Sequence, residues 1–167
     1  MKTRLTFLIM LLAVGAYAQH DHQAESAKAV SAAPSFADKK IELVYQRYIT
    51  LKDALVSSTL EDAKKAALSL KESLGALPDA KNALTFTDKI LSASVLNVQR
   101  EAFSALSDEM AKIVKANKLS AGAVYVAYCP MANDNQGAYW LSNEKEIKNP
   151  YFGNMMLRCG AVKETIQ

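Results

Sequence analysis

Both cysteines of this 167-residue chain, Cys129 and Cys159, lie near its C-terminus, in a segment that also holds three of its six methionines. Those methionines are Met131, Met155 and Met156. Thiolate and thioether sulfurs are soft donors, which select monovalent copper and similar ions over hard cations. In an oxidising compartment, two cysteines also form a disulfide. The residue types therefore indicate either a soft-metal site or a disulfide, and both interpretations stay open at this point.

The spacing of the sulfurs restricts which of them share a side of the chain. In an extended strand, Cys129 and Met131 project to the same side, because side chains alternate with a period of two. Met156 shares a face with Cys159 only if that segment turns helically, whereas Met155 shares one with Cys159 in a strand. Two or three sulfurs can therefore converge in one geometry of this segment, which suffices for Cu(I) or Ag(I).

The disulfide alternative joins Cys129 to Cys159 and closes a loop of about thirty residues. In the chain-entropy description, such a bond is worth about 3–4 kcal/mol. The loop is rich in turn residues and poor in apolar ones, so a covalent staple would be needed to hold it.

Other chemistries fit these residues less well. Structural zinc usually takes four Cys or His ligands, and the segment has two cysteines and no histidine. No Cys-x-x-Cys redox motif is present. Both histidines, His20 and His22, lie far from the cysteines in the chain, so a thiol nucleophile has no predicted base. We therefore expect no enzyme activity, and His20 with His22 is a weaker alternative metal site.

Four aromatic side chains accompany the sulfurs: Tyr139, Trp140, Tyr151 and Phe152. They can form a small core against the rest of the domain, dock a partner protein, or shield a bound ion from solvent. The sequence does not rank these three roles.

The N-terminal residues are typical of a secretory signal. Lys2 and Arg4 precede an apolar run, and Ala16-Tyr17-Ala18 is a small-x-small cleavage pattern. We predict a signal peptide over residues 1–18, a flexible leader over 19–34 and a single domain over 35–167. The mature protein is expected to be periplasmic or secreted, without membrane insertion once the signal is removed.

The charge balance excludes some classes of partner. The formal charge is +3, and the loss of Lys2 and Arg4 with the signal lowers it by two, to +1. No basic cluster is present, so a nucleic-acid partner is not expected.

Apolar residues recur at helical spacing in four stretches between residues 35 and 117. Short connections separate them, which is typical of an antiparallel four-helix bundle. After Gly122 the chain becomes β-branched and aromatic, and residues 123–128 are predicted to form a strand. Residues 156–162 are a candidate partner strand, with turns between. The predicted fold is mainly α: a four-helix bundle with a C-terminal β-hairpin or loop cap, about residues 123–162, that carries both cysteines.

Two segments resemble a bacterial family known as a domain of unknown function, DUF3347. They are QREAFSALSDEM, residues 99–110, and VYVAYCPMANDNQGAYWLSNEKEIKNPYFGNMMLRCG, residues 124–160. The second contains Cys-Pro-Met-Ala, Gly-Ala-x-Trp-Leu-Ser, Asn-Pro-Tyr-x-Gly and Met-x-x-Cys-Gly in the order that the family has them.

The resemblance implies an exported protein associated with copper or silver handling, because the same module occurs on periplasmic adaptor proteins of heavy-metal efflux pumps. Cys129, Met131, Met156 and Cys159 stand on the family's sulfur positions and are the predicted ligands of Cu(I) or Ag(I), with Met155 a weaker candidate. The implied partner is a heavy-metal efflux adaptor or another envelope protein.

Overall fold

The helical part of the structure follows the apolar stripes of the sequence. A computed structural model describes residues 33–167, so the predicted signal peptide, the leader as far as residue 32, and both histidines lie outside the described residues. Helix α1 spans Lys39–Val56 and begins at Asp38, whose Oδ1 accepts a hydrogen bond of 2.8 Å from Lys40 N. This side-chain cap satisfies a backbone donor that the first helical turn leaves free. Along α1, the apolar residues at helical spacing are buried.

Three further long helices follow in the sequence, and each packs on the one before it. They are α2, Leu60–Leu74, α3, Lys81–Ser92, and α4, Leu96–Lys115. The mainly helical fold class predicted from the sequence is confirmed. No helix within residues 33–167 combines the length and the apolar character that crossing a membrane requires.

The remaining elements are short strands in two antiparallel sheets. Strand β1, Ser35–Phe36, pairs with β2, Leu119–Ala121, and so joins the start of the described chain to the end of α4. In the second sheet, β3, Val124–Cys129, lies between β4, Ala138–Ser142, and β5, Ala161–Ile166.

The second sheet corrects two details of the sequence prediction. The strand predicted over residues 123–128 is present as β3, but its partner on one side starts at Ala161 and not at Met156. The other partner, β4, lies in a stretch for which the sequence predicts turns. The cap therefore holds three strands where the sequence predicts a β-hairpin or loop. The sequence signal for β4 is weak, because the strand is short and is flanked by Asn, Gly and other turn residues.

A buried hydroxyl connects the helices to this sheet. Tyr48 of α1 is fully buried, and its Oη lies 2.8 Å from Ser107 Oγ of α4. The same oxygen accepts a hydrogen bond of 3.1 Å from Leu141 N of β4. The Tyr48 ring stacks on Phe103 with the ring centroids 5.2 Å apart. The sheet is therefore held against α1 and α4 by a shared polar contact within an apolar core.

Candidate functional site

The two cysteines meet at one end of β3. Strand β3 ends at Cys129, and its neighbour Tyr128 pairs with Ala161 of β5. Because the strands are antiparallel, the chain that enters β5 passes the end of β3, and Cys159 lies there, two residues before Ala161. The two Sγ atoms are 2.7 Å apart. Cys129 is completely buried and Cys159 is half-buried, and both are free thiols in this structure.

The separation of the sulfurs can be compared with the distances that each of the two chemistries requires. Metal–thiolate bonds are about 2.3 Å long, so two thiolates on one ion lie about 3.8 Å apart at a tetrahedral angle and about 4.6 Å apart in a line. The 2.7 Å between the sulfurs of Cys129 and Cys159 is shorter than either of these distances. It is longer than a disulfide bond, which is about 2.05 Å.

The contact also affects the acidity of the thiols. The hydrogen bond with Cys129 raises the pKa of Cys159 to about 11, and burial and repulsion from Cys129 act in the same direction. The thiolate is the nucleophilic form of cysteine, so a raised pKa lowers the reactivity of Cys159 at neutral pH.

Asn149, which is not among the residues predicted from the sequence, holds the chain on which Cys159 lies. The Asn149 side chain is fully buried; its Nδ2 donates to the Cys159 carbonyl at 2.8 Å, and its Oδ1 accepts from Tyr151 N at 2.8 Å. Its backbone N–H donates to the Leu157 carbonyl at 2.9 Å. The Asn-Pro-Tyr motif quoted for the resemblance was the available signal for this positioning role.

Two of the four predicted aromatics are core residues of the cap. Trp140 and Tyr151 are buried and make an edge-to-face contact with centroids 6.0 Å apart. Gly160, at φ +126°, lies beside the Trp140 ring, where a Cβ would come within 2.9 Å of its Cη2. Of the three roles weighed, the positions of Trp140 and Tyr151 favour a miniature core.

The other two aromatics reach the surface. Tyr139 is 43% exposed, and its ring lies 4.5 Å from that of Tyr128 on the neighbouring strand. Phe152 is half-buried and lines a surface cavity. Tyr139 and Phe152 are therefore the two of the four aromatics that remain available for contact with a partner.

Three methionines share a cavity that neither cysteine lines. The cavity, about 670 Å³ in volume, lies between the first turns of α4 and the cap, and Met131, Met155 and Met156 are all in its wall. Met131 is 46% exposed and Met155 is 78% exposed. We call this space the methionine cavity.

Arg100 of α4 fixes one wall of the methionine cavity. The guanidinium is buried; Nε donates to the Pro150 carbonyl at 2.9 Å, and Nη2 donates to Leu55 O at 3.2 Å and to Ser58 Oγ at 2.8 Å. Desolvation lowers the pKa of this guanidinium from its usual value. Arg100 thus ties the loop of the cap to α4 and to the end of α1.

A left-handed turn forms another wall. In the short helical turn α5, Ala132–Asn135, the φ angles of Asn133, Asp134 and Asn135 are 50°, 52° and 67°. Asn and Asp tolerate this region better than other side chains do. The turn reverses the chain between β3 and β4 and places Met131 and Asp134 in the wall of the methionine cavity.

The predicted ligand set is therefore divided between two places. Cys129 and Cys159 contact each other, while Met131 and Met156, with the weaker candidate Met155, line the methionine cavity. Within residues 33–167, no three side chains of the types His, Cys, Asp and Glu cluster as a metal-binding group. His20 and His22 lie outside the described residues.

Comparison with known proteins identifies one family. A family model described as a protein of unknown function, DUF3347, matches residues 44–122. The matched range runs from within α1 to Gly122, so it contains the resembling segment at residues 99–110 and ends before the one at 124–160. No curated protein and no solved structure matches the chain.

Proposed function

From the premise that this chain belongs to the DUF3347 family over residues 44–122, we propose that it is a non-catalytic binding module whose cap is closed by a Cys129–Cys159 disulfide. The observation that carries the proposal is the 2.7 Å contact between the two sulfurs, one of them completely buried.

The proposal includes export to an oxidising compartment, either the periplasm or the medium. The basic residues, apolar run and small-x-small pattern of residues 1–18 support it. A disulfide persists in such a compartment and is rare in the cytosol.

We take α1 to α4 as an antiparallel bundle that supports the cap, in line with their consecutive packing and short connections. The staple joins the end of β3 to the chain before β5, and closes a loop of about thirty residues. Its expected contribution to stability is about 3–4 kcal/mol. The module would present Tyr139 and Phe152 to an envelope protein such as a heavy-metal efflux adaptor.

The proposal is tested on protein expressed with its signal and purified from the periplasm without reductant. Its intact mass should be two hydrogens below that of the reduced protein, and neither thiol should react with an alkylating reagent. Reduction should lower the free energy of unfolding by about 3–4 kcal/mol. The Cys129→Ser/Cys159→Ser variant is the control, since reduction should leave its stability unchanged. Two alkylated thiols in the untreated protein would contradict the proposal.

A second candidate is the soft-metal accessory function, with Cu(I) or Ag(I) bound by Cys129, Met131, Met156 and Cys159. The observation that favours it is the soft character of the thiol and thioether sulfurs in the cap, which select monovalent copper and silver over hard cations. Binding would require the sulfurs to separate from 2.7 Å to at least about 3.8 Å.

An anaerobic titration of the reduced protein with Cu(I), followed by native mass spectrometry, separates the two candidates. One copper per chain that is lost in Cys129→Ser would favour the metal function at the cysteines. Copper uptake that is unchanged in Cys129→Ser would show that the cysteines are not the ligands and would favour the disulfide.

A further inference from the structure

The methionines of this chain differ sharply in their surroundings. Among residues 33–167 there are four, and Met110 of α4 is fully buried in the core. Met131, Met155 and Met156 instead line one cavity, where Met131 is 46% exposed and Met155 is 78% exposed. Methionine commonly fills gaps in apolar cores, and Met110 does so. Core packing does not explain why the other three lie together at the surface.

We propose that the methionine cavity is a binding site for a soft monovalent cation, Cu(I) or Ag(I), with the thioethers of Met131, Met155 and Met156 as its ligands and no cysteine taking part. The proposal goes beyond the disulfide-closed module, because it concerns a different place in the fold and different sulfur atoms.

The three thioether donors are suited to a soft monovalent cation. Thioethers are neutral, soft ligands, which favour Cu(I) and Ag(I) over hard divalent ions and remain ligands where thiols are oxidised. Met131 enters the cavity from the turn after β3, and Met155 and Met156 enter from the 3₁₀ turn Gly153–Met155 and the residue after it. Methionine is unbranched with three rotatable bonds, so donors from two segments can converge on one ion.

The charges around the methionine cavity also favour a cation. Glu101 and Asp134 line it, both are exposed, and neither forms an ion pair within the part of the chain that the structure describes. The one basic residue in the wall, Arg100, directs its hydrogen bonds to Pro150, Leu55 and Ser58. Two carboxylates without a basic partner favour a cation in a cavity whose donors carry no charge.

The aromatic residues complete the environment. Tyr151 and Phe152 stand in the same wall as the methionines. The face of an aromatic ring attracts a cation and excludes water from it. Phe152 is half-buried beside the cavity, and in this site it would shield the bound ion from solvent.

The test uses the Cys129→Ser/Cys159→Ser protein, so that no thiol can bind the ion. Silver is the probe, because Ag(I) is stable in air. We expect one Ag(I) per chain, with an affinity at least about tenfold weaker once Met131, Met155 and Met156 are all replaced by Leu. Leucine has nearly the volume of methionine, and circular dichroism checks that the fold is kept. The matched control is Met110→Leu, which should leave the affinity unchanged.

A second readout follows the ligands directly. With methyl-labelled methionine, Ag(I) should shift the signals of Met131, Met155 and Met156 and leave that of Met110 in place. Should the cysteine-free protein fold poorly, the oxidised wild-type protein replaces it, since its thiols are also blocked.

The outcomes distinguish a methionine site from metal binding at the cysteine pair. Equal silver affinity with and without the three methionines overturns the methionine site, and so does the absence of binding by cysteine-free protein. Silver bound only by the reduced wild-type chain also overturns it and assigns the ion to the cysteines. The state of the disulfide is measured by mass in the absence of silver, so it stands or falls independently.

Discussion

The sulfur atoms of the cap lie in two regions, one formed by strand pairing and the other by turns. The cysteine pair lies at the end of a sheet, where the antiparallel register of β3 and β5 brings together two residues thirty positions apart. The methionine cavity lies against the first turns of α4, and its sulfurs come from turns. Cys129 is completely buried, whereas Met155 is 78% exposed.

The comparison shows that closeness in sequence did not determine which sulfurs meet. Cys129 and Met131 are two residues apart, and they would project to one side only if the strand extended through both. The strand ends at Cys129, and Met131 adopts a helical backbone, with φ −89° and ψ −9°, at the start of the following turn. The alternation of side chains therefore does not extend to Met131, and the two sulfurs belong to different regions.

The largest effect is expected from Asn149→Ala, which breaks the connection between the two regions. The change leaves the Cys159 carbonyl and the buried Tyr151 N–H without their partner, at a cost of about 2–5 kcal/mol in the free energy of unfolding. Urea denaturation of the reduced protein measures it. The control is Asn143→Ala, which loses one half-buried hydrogen bond to Tyr45 and should cost about 1 kcal/mol. Equal costs for both variants would show that Asn149 does not hold the segment.

Gly153→Ala should disturb the wall of the methionine cavity and leave the cysteine pair intact. Gly153 has φ +56°, and a Cβ there would lie 2.2 Å from Ser58 Oγ and 2.9 Å from the Val56 carbonyl. Backbone strain and overlap together predict a loss of about 2–4 kcal/mol by urea denaturation.

Gly75→Ala provides the matched comparison for Gly153. Its φ is −60°, and the nearest atom to a new Cβ is 3.5 Å away. The substitution should therefore change stability by less than about 1 kcal/mol, in the stabilising direction. If Gly153→Ala lowers the free energy of unfolding no more than Gly75→Ala does, the wall of the methionine cavity yields to the added methyl group.

The acidity of Cys159 sharpens the description of the cysteine pair. Folding raises the pKa of the Cys159 thiol from 9.0 to about 11. The reduced protein therefore gains stability that is fully present below pH 9 and is lost as the pH rises through 11. The rate of alkylation of reduced protein should rise over the same range. Cys129→Ala removes the hydrogen bond and should move that rise toward lower pH. A rate profile that is the same in both proteins would rule out the contact as the cause.

The smallest effect on stability is expected at the exposed methionines. Met155→Leu should change the free energy of unfolding by less than about 0.5 kcal/mol, because the side chain is 78% exposed. Under dilute peroxide, Met155 should become the sulfoxide first, Met131 next and the buried Met110 last, as mapped by mass spectrometry of peptides. Oxidation of Met110 at the rate of Met155 would contradict the difference in burial.

Much of the helical fold could be predicted because its signals are local. The apolar stripe of α1 appears in the sequence as Ile41, Val44, Tyr45, Tyr48, Leu51 and Leu55, and all six are buried. Strand β4 is not evident in the sequence, because Ala138–Ser142 is short and lies among turn residues. Its extended conformation depends on hydrogen bonding to β3, which is not visible in the sequence.

The candidate site was only partly predictable. Its sulfur residues were recognised from their types, and Trp140 and Tyr151 were recognised as a group of aromatics. Arg100 and Asn149 were not, because a buried polar residue is identified by the partners it meets. Those partners come from distant segments: Leu55 and Ser58 in one case, and Cys159 in the other.

By itself, the sequence determined the helical segments and the set of soft donors near the C-terminus, because periodicity and residue type are properties of the chain alone. Only the tertiary structure decided that Cys129 meets Cys159 while the three methionines gather elsewhere. The physical reason is that strand register and the direction of a turn are set by pairing and packing between segments far apart in the chain.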